Sequence, residues 1–150
     1  MKVIVFGCGR TGSTLALLMD KAGHNVTMIE KNPDHLKRLG QIHHIHSIIG
    51  SGLDQDTLLQ AGIEGTDAFV AATQGDNTNL MAAQMVQDLW NVQKICAKVN
   101  DAIRADTYRK LGVFTVTPNA LTAGLLHTWL LDEEFKNINE YNRLYEELLQ

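Results

Sequence analysis

The N-terminal sequence Lys2-Val3-Ile4-Val5-Phe6-Gly7-Cys8-Gly9-Arg10-Thr11-Gly12 is the strongest indicator of the fold. Its first five residues form an apolar, β-branched run that predicts a buried strand. Its last six residues have the glycine spacing GxGxxG, and the amphipathic segment that begins at Thr11 predicts a helix. A glycine loop between a strand and a helix brings backbone amides and the positive end of the helix dipole together. The stretch therefore predicts an α/β fold with an anion-binding turn after its first strand.

The three glycines of this loop have separate expected roles. Gly7 allows the tight turn, Gly9 lets the backbone approach a pyrophosphate, and Gly12 lets the helix pack closely on the sheet. The guanidinium of Arg10 is suited to pair with a phosphate, either of its own ligand or of the ligand in a dimer partner. The predicted phosphate site comprises the whole loop: Gly7, Cys8, Gly9, Arg10, Thr11 and Gly12.

Glu30 completes this pattern at the end of the second predicted strand, eighteen residues after Gly12. A carboxylate at this place accepts hydrogen bonds from both ribose hydroxyls of an adenosine and repels a 2′-phosphate. The expected ligand is therefore NAD(H) or an adenine nucleotide (ATP, ADP or AMP) rather than NADP(H). Lys31 follows directly, slightly weakens that exclusion and is included in the predicted site.

Strand and helix patterns alternate as far as about Val116, which is typical of right-handed βαβ units. We therefore predict a Rossmann-like, doubly wound, six-stranded parallel sheet. The predicted strands are Lys2–Phe6, Asn25–Ile29, His44–Ile49, Ala68–Ala72, Lys94–Val99 and Val113–Thr117. The predicted helices between them are Thr11–Ala22, Pro33–Leu39, Asp54–Ala61, Asp76–Trp90 and Ala102–Leu111.

The last part of the chain has a different composition. Leu121–Leu131 is strongly apolar, whereas Asp132–Gln150 is acidic and amphipathic. An amphipathic helix needs a surface against which to bury its apolar stripe, and a second subunit is the natural candidate. We therefore divide the chain into a nucleotide-binding lobe, 1–118, and a C-terminal helical extension, 119–150, predicted to be a dimerisation element.

Composition excludes several classes of protein. The chain has 150 residues with 45% hydrophobic and 20% charged residues and a net charge of −4, which indicates one compact domain. These values do not fit a disordered chain or a polycationic nucleic-acid binder. No apolar run approaches the roughly 20 residues of a spanning helix, and the N-terminus lacks a signal-peptide pattern, so we expect a cytoplasmic protein without direct membrane insertion.

Neither the cysteines nor the histidines predict a metal site or a disulfide. Cys8 and Cys96 are far apart and are interpreted as reduced thiols, Cys8 most simply as a small buried one. His43, His44 and His46 alternate between the two faces of a predicted strand and have no acidic or thiol partner nearby. No metal ligand is therefore predicted.

Three further motifs show a family resemblance. They are Ala61-Gly62-Ile63 followed by Thr66-Asp67-Ala68, then Ala72-Thr73-Gln74-Gly75-Asp76-Asn77-Thr78-Asn79, and finally Ile95-Cys96-Ala97-Lys98-Val99-Asn100. With the glycine loop, they make the chain resemble the potassium-transport nucleotide-binding domain, the N-terminal lobe of the regulator of potassium conductance family, in subunits of the TrkA and KtrA types. The resemblance extends from about Lys2 to Leu131.

The resemblance implies a regulatory subunit that binds a nucleotide without turning it over. The expected partner is a membrane potassium channel or transporter, which would hold the protein at the cytoplasmic face of the inner membrane. In this family the lobes pair through helices after the sixth strand, as a homodimer or a higher, ring-like oligomer. No nucleic-acid partner is implied.

The resemblance also extends the predicted nucleotide site. Asp76 opens a helix beside the ligand in the family pattern, although capping of that helix is an equal alternative. Lys98 and Asn100, at the end of the fifth predicted strand, are placed to meet the distal ribose or phosphate, and a plain strand-end lysine is nearly as good an interpretation of Lys98. The family commonly has Gly-Asp after the third strand, where this chain has Gly50-Ser51, and Pro-Glu after the sixth, where it has Pro118-Asn119. The residues added to the site are Ser51, Gly52, Thr73, Asp76, Lys98 and Asn100.

Two enzyme classes use a similar loop and are the alternatives. A small NAD-dependent oxidoreductase is the first, but no Tyr-x-x-x-Lys pair occurs in the sequence and no second, substrate-holding domain is predicted. A methyltransferase would need a substrate pocket that the sequence does not indicate. The function we predict is the one that the resemblance implies, regulatory and not catalytic.

Overall fold

The computed structural model of the protein describes residues 1–41 and 44–142. Its centre is one six-stranded sheet, all parallel, in the order β3-β2-β1-β4-β5-β6. The strands are β1 Lys2–Phe6, β2 Asn25–Glu30, β3 His46–Ile49, β4 Ala68–Ala71, β5 Lys94–Lys98 and β6 Phe114–Val116. From β1 the sheet extends to one side through β2 and β3 and to the other side through β4, β5 and β6. This change in strand order leaves a crevice at the carboxyl ends of β1 and β4. The predicted fold class is confirmed.

Helices cover both faces of the sheet. Pro33–Leu39 and Ile63–Gly65 are 3-10 helices, and residues 138–142 are also helical. Asp54 caps the second α-helix by accepting the Thr57 amide at 3.2 Å and the Thr57 hydroxyl at 2.6 Å, and these bonds lower the pKa of Asp54. The α-helices are α1 Arg10–Lys21, α2 Gln55–Gln60, α3 Asp76–Leu89, α4 Ala102–Lys110 and α5 Pro118–Leu130.

Alternate residues of β1 belong to different cores, because successive side chains of a strand face opposite sides of the sheet. Val3 and Val5 pack with Ala16 of α1 on one face. Ile4 and Phe6 pack on the other face with residues of α2 and α3. β1 is thus covered on both sides, which agrees with its continuous apolar sequence.

Most predicted elements differ from the structure by one residue at an end, and two of the starts have a physical explanation. β3 begins at His46 rather than His44, because the His44 amide donates to the Asp20 carboxylate of α1 at 3.3 Å instead of joining the ladder with β2. The last α-helix begins at Pro118, one residue before the predicted extension 119–150. Proline is tolerated in the first turn of a helix, where its missing amide proton has no acceptor.

The described part of the C-terminal extension folds back on the edge strand. The side chain of Asn142 accepts from the Thr117 amide at 3.0 Å and donates to the Thr115 carbonyl at 3.2 Å. Tyr141 is buried, and its hydroxyl donates to the Thr128 hydroxyl of α5 at 3.0 Å. Residues 143–150, which belong to the predicted dimerising helix, lie outside the described residues. Within the described ranges, no helix has the length and apolar character needed to cross a membrane.

Candidate functional site

A cleft of about 580 Å³ lies at the carboxyl edge of the sheet, beyond the ends of β1 and β4. Small-molecule sites are commonly of this size, and open α/β sheets bind their ligands at this place. One side, which we name the β2 wall, consists of Glu30, His35 and Arg38. The opposite side, the β4–β5 wall, consists of Ala72, Thr73, Gln74 and Lys98. The floor between the two walls is formed by Gly7, Gly9, Arg10 and Thr11.

The glycine loop forms this floor because two of its positions have no room for a side chain. Gly7 has φ +102°, and a Cβ atom there would lie 2.8 Å from the Thr73 backbone. A Cβ atom on Gly12 would lie 1.9 Å from the Gly7 carbonyl oxygen. The helical hydrogen bonds of α1 start with Ser13 N–H to Gly9 C=O, so the preceding amides have no acceptor within the helix. The loop can therefore present amide donors to an anion at the start of α1.

Glu30 fixes the loop to the end of β2. Its Oε2 accepts the Cys8 amide at 2.7 Å, its Oε1 accepts the Asn32 amide at 2.9 Å, and His35 Nδ1 lies 3.5 Å from Oε1. Burial alone would raise the pKa of Glu30, but these two amides and His35 outweigh it and hold the pKa below its ordinary value. The carboxylate is therefore charged at neutral pH. Oε2, which accepts the Cys8 amide, keeps a further lone pair that could accept a ribose hydroxyl.

The cleft carries more positive than negative charge, in contrast to the chain as a whole. Arg10, Arg38 and Lys98 line it together with one acid, Glu30. Three cations around one buried carboxylate favour a ligand with more than one negative charge.

His35 and Arg38 were missed by the sequence analysis, although the short helix that carries them was predicted. The sequence did contain a signal for them. The helix Pro33–Leu39 directly follows β2 and therefore starts at the same edge of the sheet as Glu30. Arginine near the strand-end acid also occurs in dinucleotide folds.

The β4–β5 wall is held by a residue that does not itself line the cleft. Asn79 of α3 is fully buried and accepts from the Thr73 amide at 2.9 Å and from the Thr73 hydroxyl at 2.6 Å. Its side-chain amide donates to the Thr73 carbonyl at 3.1 Å and to the Lys98 carbonyl at 2.8 Å. Four bonds from one side chain thus join the ends of β4 and β5.

Seven predicted site residues lie in the cleft lining, namely Gly7, Gly9, Arg10, Thr11, Glu30, Thr73 and Lys98. The other seven lie outside it, namely Cys8, Gly12, Lys31, Ser51, Gly52, Asp76 and Asn100. Cys8 contributes only its backbone amide, since its thiol is buried and its Sγ lies 3.3 Å from the His35 carbonyl. Gly12 is buried beneath the loop, and Lys31 is exposed next to Glu30.

Ser51 and Gly52 belong to the turn after β3. The Ser51 hydroxyl accepts the Leu53 amide at 3.2 Å, so it serves the turn itself. Gly52 is buried against Phe6, where a Cβ atom would lie 2.5 Å from the ring. Close packing on the core therefore explains why glycine stands at position 52.

Asp76 and Asn100, outside the lining, bond each other. Both carboxylate oxygens of Asp76 accept the Asn100 amide, at 2.9 and 3.0 Å. The Asn100 side chain and the Asp101 amide donate to the same carboxylate, both at 2.9 Å. Asp76 is not the cap of α3, because Gly75 occupies the N-cap position and no side chain bonds there. The alternative of helix capping is therefore wrong.

The two thiols have raised pKa values, and the described residues hold no metal-ligating cluster. Burial and the charge of Glu30 raise the pKa of Cys8, with Arg38 opposing them, and burial raises the pKa of Cys96 to about 11. Among residues 1–41 and 44–142, no group of three or more His, Cys, Asp or Glu side chains could hold a metal ion. His43, from the predicted histidine alternation, lies outside these residues.

Two curated relatives cover most of this chain. The Trk system potassium uptake protein TrkA of Streptomyces coelicolor is 40% identical over 123 residues, which are 82% of this chain and 55% of that protein. The Trk system potassium uptake protein TrkA homolog of Methanothermobacter thermautotrophicus is 35% identical over 127 residues, or 84% of this chain and 58% of that protein. This chain thus spans little more than half the length of these relatives.

Two solved structures share the fold at lower identity. The Kef CTD of Shewanella denitrificans in its AMP-bound form matches with a TM-score of 0.71 and 22% identity, over 98% of this chain and 92% of that one. The GsuK channel bound to NAD matches with a TM-score of 0.67 and 18% identity, over 82% of this chain and 22% of that one. At these identities the similarity shows the fold alone.

The family model described as the TrkA-N domain matches residues 3–118. The match contains the glycine loop, Glu30 and every residue that lines the cleft. It confirms the resemblance inferred from the motifs. The chain belongs to the TrkA-N domain family.

Proposed function

We propose that this chain is the nucleotide-binding lobe of a regulatory protein of potassium transport and that it binds an adenine nucleotide or NAD(H) without turning it over. The observation that carries the proposal is the cleft itself. A glycine loop at a helix N-terminus and a charged strand-end carboxylate face the same space, with three cations around it.

The relatives and structural neighbours support the ligand class and the biological role. The relatives are named for potassium uptake, and the neighbours were solved with AMP, NAD and, in another GsuK structure, ADP. These ligands share an adenosine with one or more phosphates. We therefore place the adenosine ribose at Glu30 and the phosphates at the glycine loop, with Arg10 paired to a phosphate.

The order of the walls determines how far each ligand would reach. A mononucleotide would occupy the β2 wall and the loop, with His35 and Arg38 beside its adenosine. A dinucleotide would continue across the floor to Thr73 and Lys98 on the β4–β5 wall. The cleft can therefore distinguish ligands by the part that lies beyond the first phosphate.

Regulation without catalysis needs a second conformation or a partner. Nucleotides that differ in phosphate content would favour different arrangements of paired lobes, by no more than their difference in affinity for the two arrangements. Exposed apolar side chains of α5, together with Leu131, would supply the dimer contact. These side chains are Leu125, Leu126, Trp129, Leu130 and Leu131, with Trp129 67% exposed. The partner would be a membrane potassium channel or transporter, and through it the protein would lie peripherally at the cytoplasmic face of the membrane.

Calorimetric titration of the purified chain with AMP, ADP, ATP, NAD and NADH tests this proposal, with mass in solution recorded in parallel. We expect micromolar binding of at least one ligand, unchanged ligand after prolonged incubation, and a dimeric or larger mass. Absence of adenine-nucleotide binding below millimolar concentration would refute the nucleotide-binding role. Chemical conversion of a bound nucleotide would refute the non-catalytic role.

A further inference from the structure

Two polar residues at the start of α3 hold the cleft without lining it. Asp76 and Asn79 are three residues apart and therefore lie on the same side of the first turn of α3. We name this pair the α3 clamp. Asn79 is fully buried, and all four of its bonds go to Thr73 and Lys98. All four bonds of Asp76 go to Asn100 and Asp101.

The α3 clamp holds the chain on both sides of the cleft-lining Lys98. Asn79 binds the Lys98 carbonyl at 2.8 Å, and Asp76 binds the Asn100 amide, two residues later, at 2.9 Å. Asp101, which Asp76 also binds, caps α4 by accepting the amides of Ile103 and Arg104. The backbone from the end of β5 to the start of α4 is thereby fixed to the first turn of α3.

We infer that the α3 clamp is the positioning device for the β4–β5 wall, and that it sets the affinity for ligands that extend beyond the first phosphate to Lys98. Asp76 and Asn79 act through Lys98 and Thr73 rather than by touching the ligand. This inference rests on the proposed function, since it assigns a role within the same nucleotide site.

The chemistry of lysine explains why such a clamp is needed. A lysine ammonium is a point charge on a flexible stem, so its position depends on where its backbone is held. A binding group that is about 1 Å too loosely held loses much of its contribution. The adenosine end needs no such help from α3, because the amides of Cys8 in the loop and of Asn32 bond Glu30 directly.

The first test replaces one hydrogen-bond donor. Asn79→Asp keeps the oxygen that accepts from Thr73 and removes the donors to the carbonyls of Thr73 and Lys98. Titrated with NAD, the variant should bind at least about tenfold more weakly, whereas AMP should bind within about twofold of wild type. The matched control is Asn142→Asp, another buried asparagine that bridges main-chain groups, but on β6. It should leave both affinities unchanged.

A double-mutant cycle separates positioning from general damage. If Asn79 acts through Lys98, Asn79→Asp should cost no further NAD affinity once Lys98→Ala is present. Additive losses would overturn the inference, as would equal losses for AMP and NAD. Full NAD affinity in Lys98→Ala would overturn it as well.

Asp76→Asn provides a second variant, which keeps the test open if the buried Asn79→Asp change prevents folding. It weakens the charge-assisted bonds to Asn100 and Asp101 at a half-buried position and should lower NAD affinity by several-fold, again sparing AMP. Its control is Asp56→Asn, an exposed first-turn acid of α2. If the wild type binds NAD and Asp76→Asn binds it equally well, the role of the α3 clamp is refuted. Failure of the wild type to bind either probe would instead refute the proposed function, and with it this inference.

Discussion

Replacing Glu30 by glutamine tests the link between the fold and the site. Wild-type Glu30 accepts two backbone amides, from Cys8 at 2.7 Å and from Asn32 at 2.9 Å. A glutamine has only one acceptor oxygen, so its NH2 group would face one of these two backbone amides. That amide would lose its charge-assisted bond, and two N–H donors would point at each other. We expect a loss of about 2 kcal/mol in the free energy of unfolding, since bonds to charged groups contribute about 1.5–3 kcal/mol. For a chain of this length, that loss lowers Tm by about 4–8 °C.

The pH dependence of this loss follows from the pKa of Glu30, which lies below its ordinary value in the folded protein. A depressed carboxyl pKa contributes stability that is complete above the unfolded pKa and is lost as pH falls through the folded pKa. The difference in unfolding free energy between wild type and Glu30→Gln should therefore be constant from neutral pH to about pH 5 and should shrink at lower pH.

Urea unfolding at a series of pH values measures both quantities, and Glu64→Gln, at an exposed position, is the control. Affinities for AMP and NAD should fall together in Glu30→Gln, because both ligands contain the adenosine ribose. Equal stability of wild type and variant at neutral pH would refute the reasoning. A difference that grows on acidification would refute it equally.

Other changes test the loop and the helices. Arg10→Ala should weaken binding in the order ATP, ADP, AMP, with ATP most affected, and titration showing equal losses would exclude a phosphate-reading role. Gly12→Ala places a Cβ atom 1.9 Å from the Gly7 carbonyl oxygen and should cost about 1–3 kcal/mol in urea unfolding. Gly65→Ala, whose Cβ meets only the end of a lysine side chain at 3.5 Å, should cost much less. Trp129→Ser removes an apolar side chain of α5 that is 67% exposed, and light scattering should show a smaller fraction of dimer. An unchanged fraction of dimer would contradict a role of α5 in the interface.

The fold and the floor of the cleft could be predicted because they depend on local rules. A β-branched run, three glycines at fixed spacing and an acid at the next strand end are each constrained by their immediate neighbours. The structure shows the steric cause directly, since Gly7 and Gly12 have no space for a side chain. The start of β3 was predicted wrongly because the Asp20 side chain, distant in the sequence, takes the His44 amide that the sheet ladder would have used.

The β2 wall could be predicted only in part, because the direction of a short helix is a tertiary property. The sequence predicts a helix over Pro33–Leu39 but not which of its residues turn towards Glu30. In the structure these are His35 and Arg38, whereas Lys31, closer in sequence to Glu30, is exposed and outside the lining. Distance along the chain was therefore a poor guide to distance from the carboxylate.

Asp76 shows why residue type and spacing do not separate a ligand-binding carboxylate from a structural one. At the carboxyl edge of a parallel sheet both kinds of acid follow a strand and open a helix. What differs is the number of donors that already reach the carboxylate, and here Asn100 and Asp101 supply them from a segment 24 and 25 residues away. A ligand group that took their place would have to break charge-assisted bonds and leave those backbone amides without an acceptor, at a cost of about 1–3 kcal/mol for each one that stays buried. The α3 clamp therefore favours an Asp76 that shapes the wall over one that binds the ligand, a distinction that depends on contacts distant in the sequence.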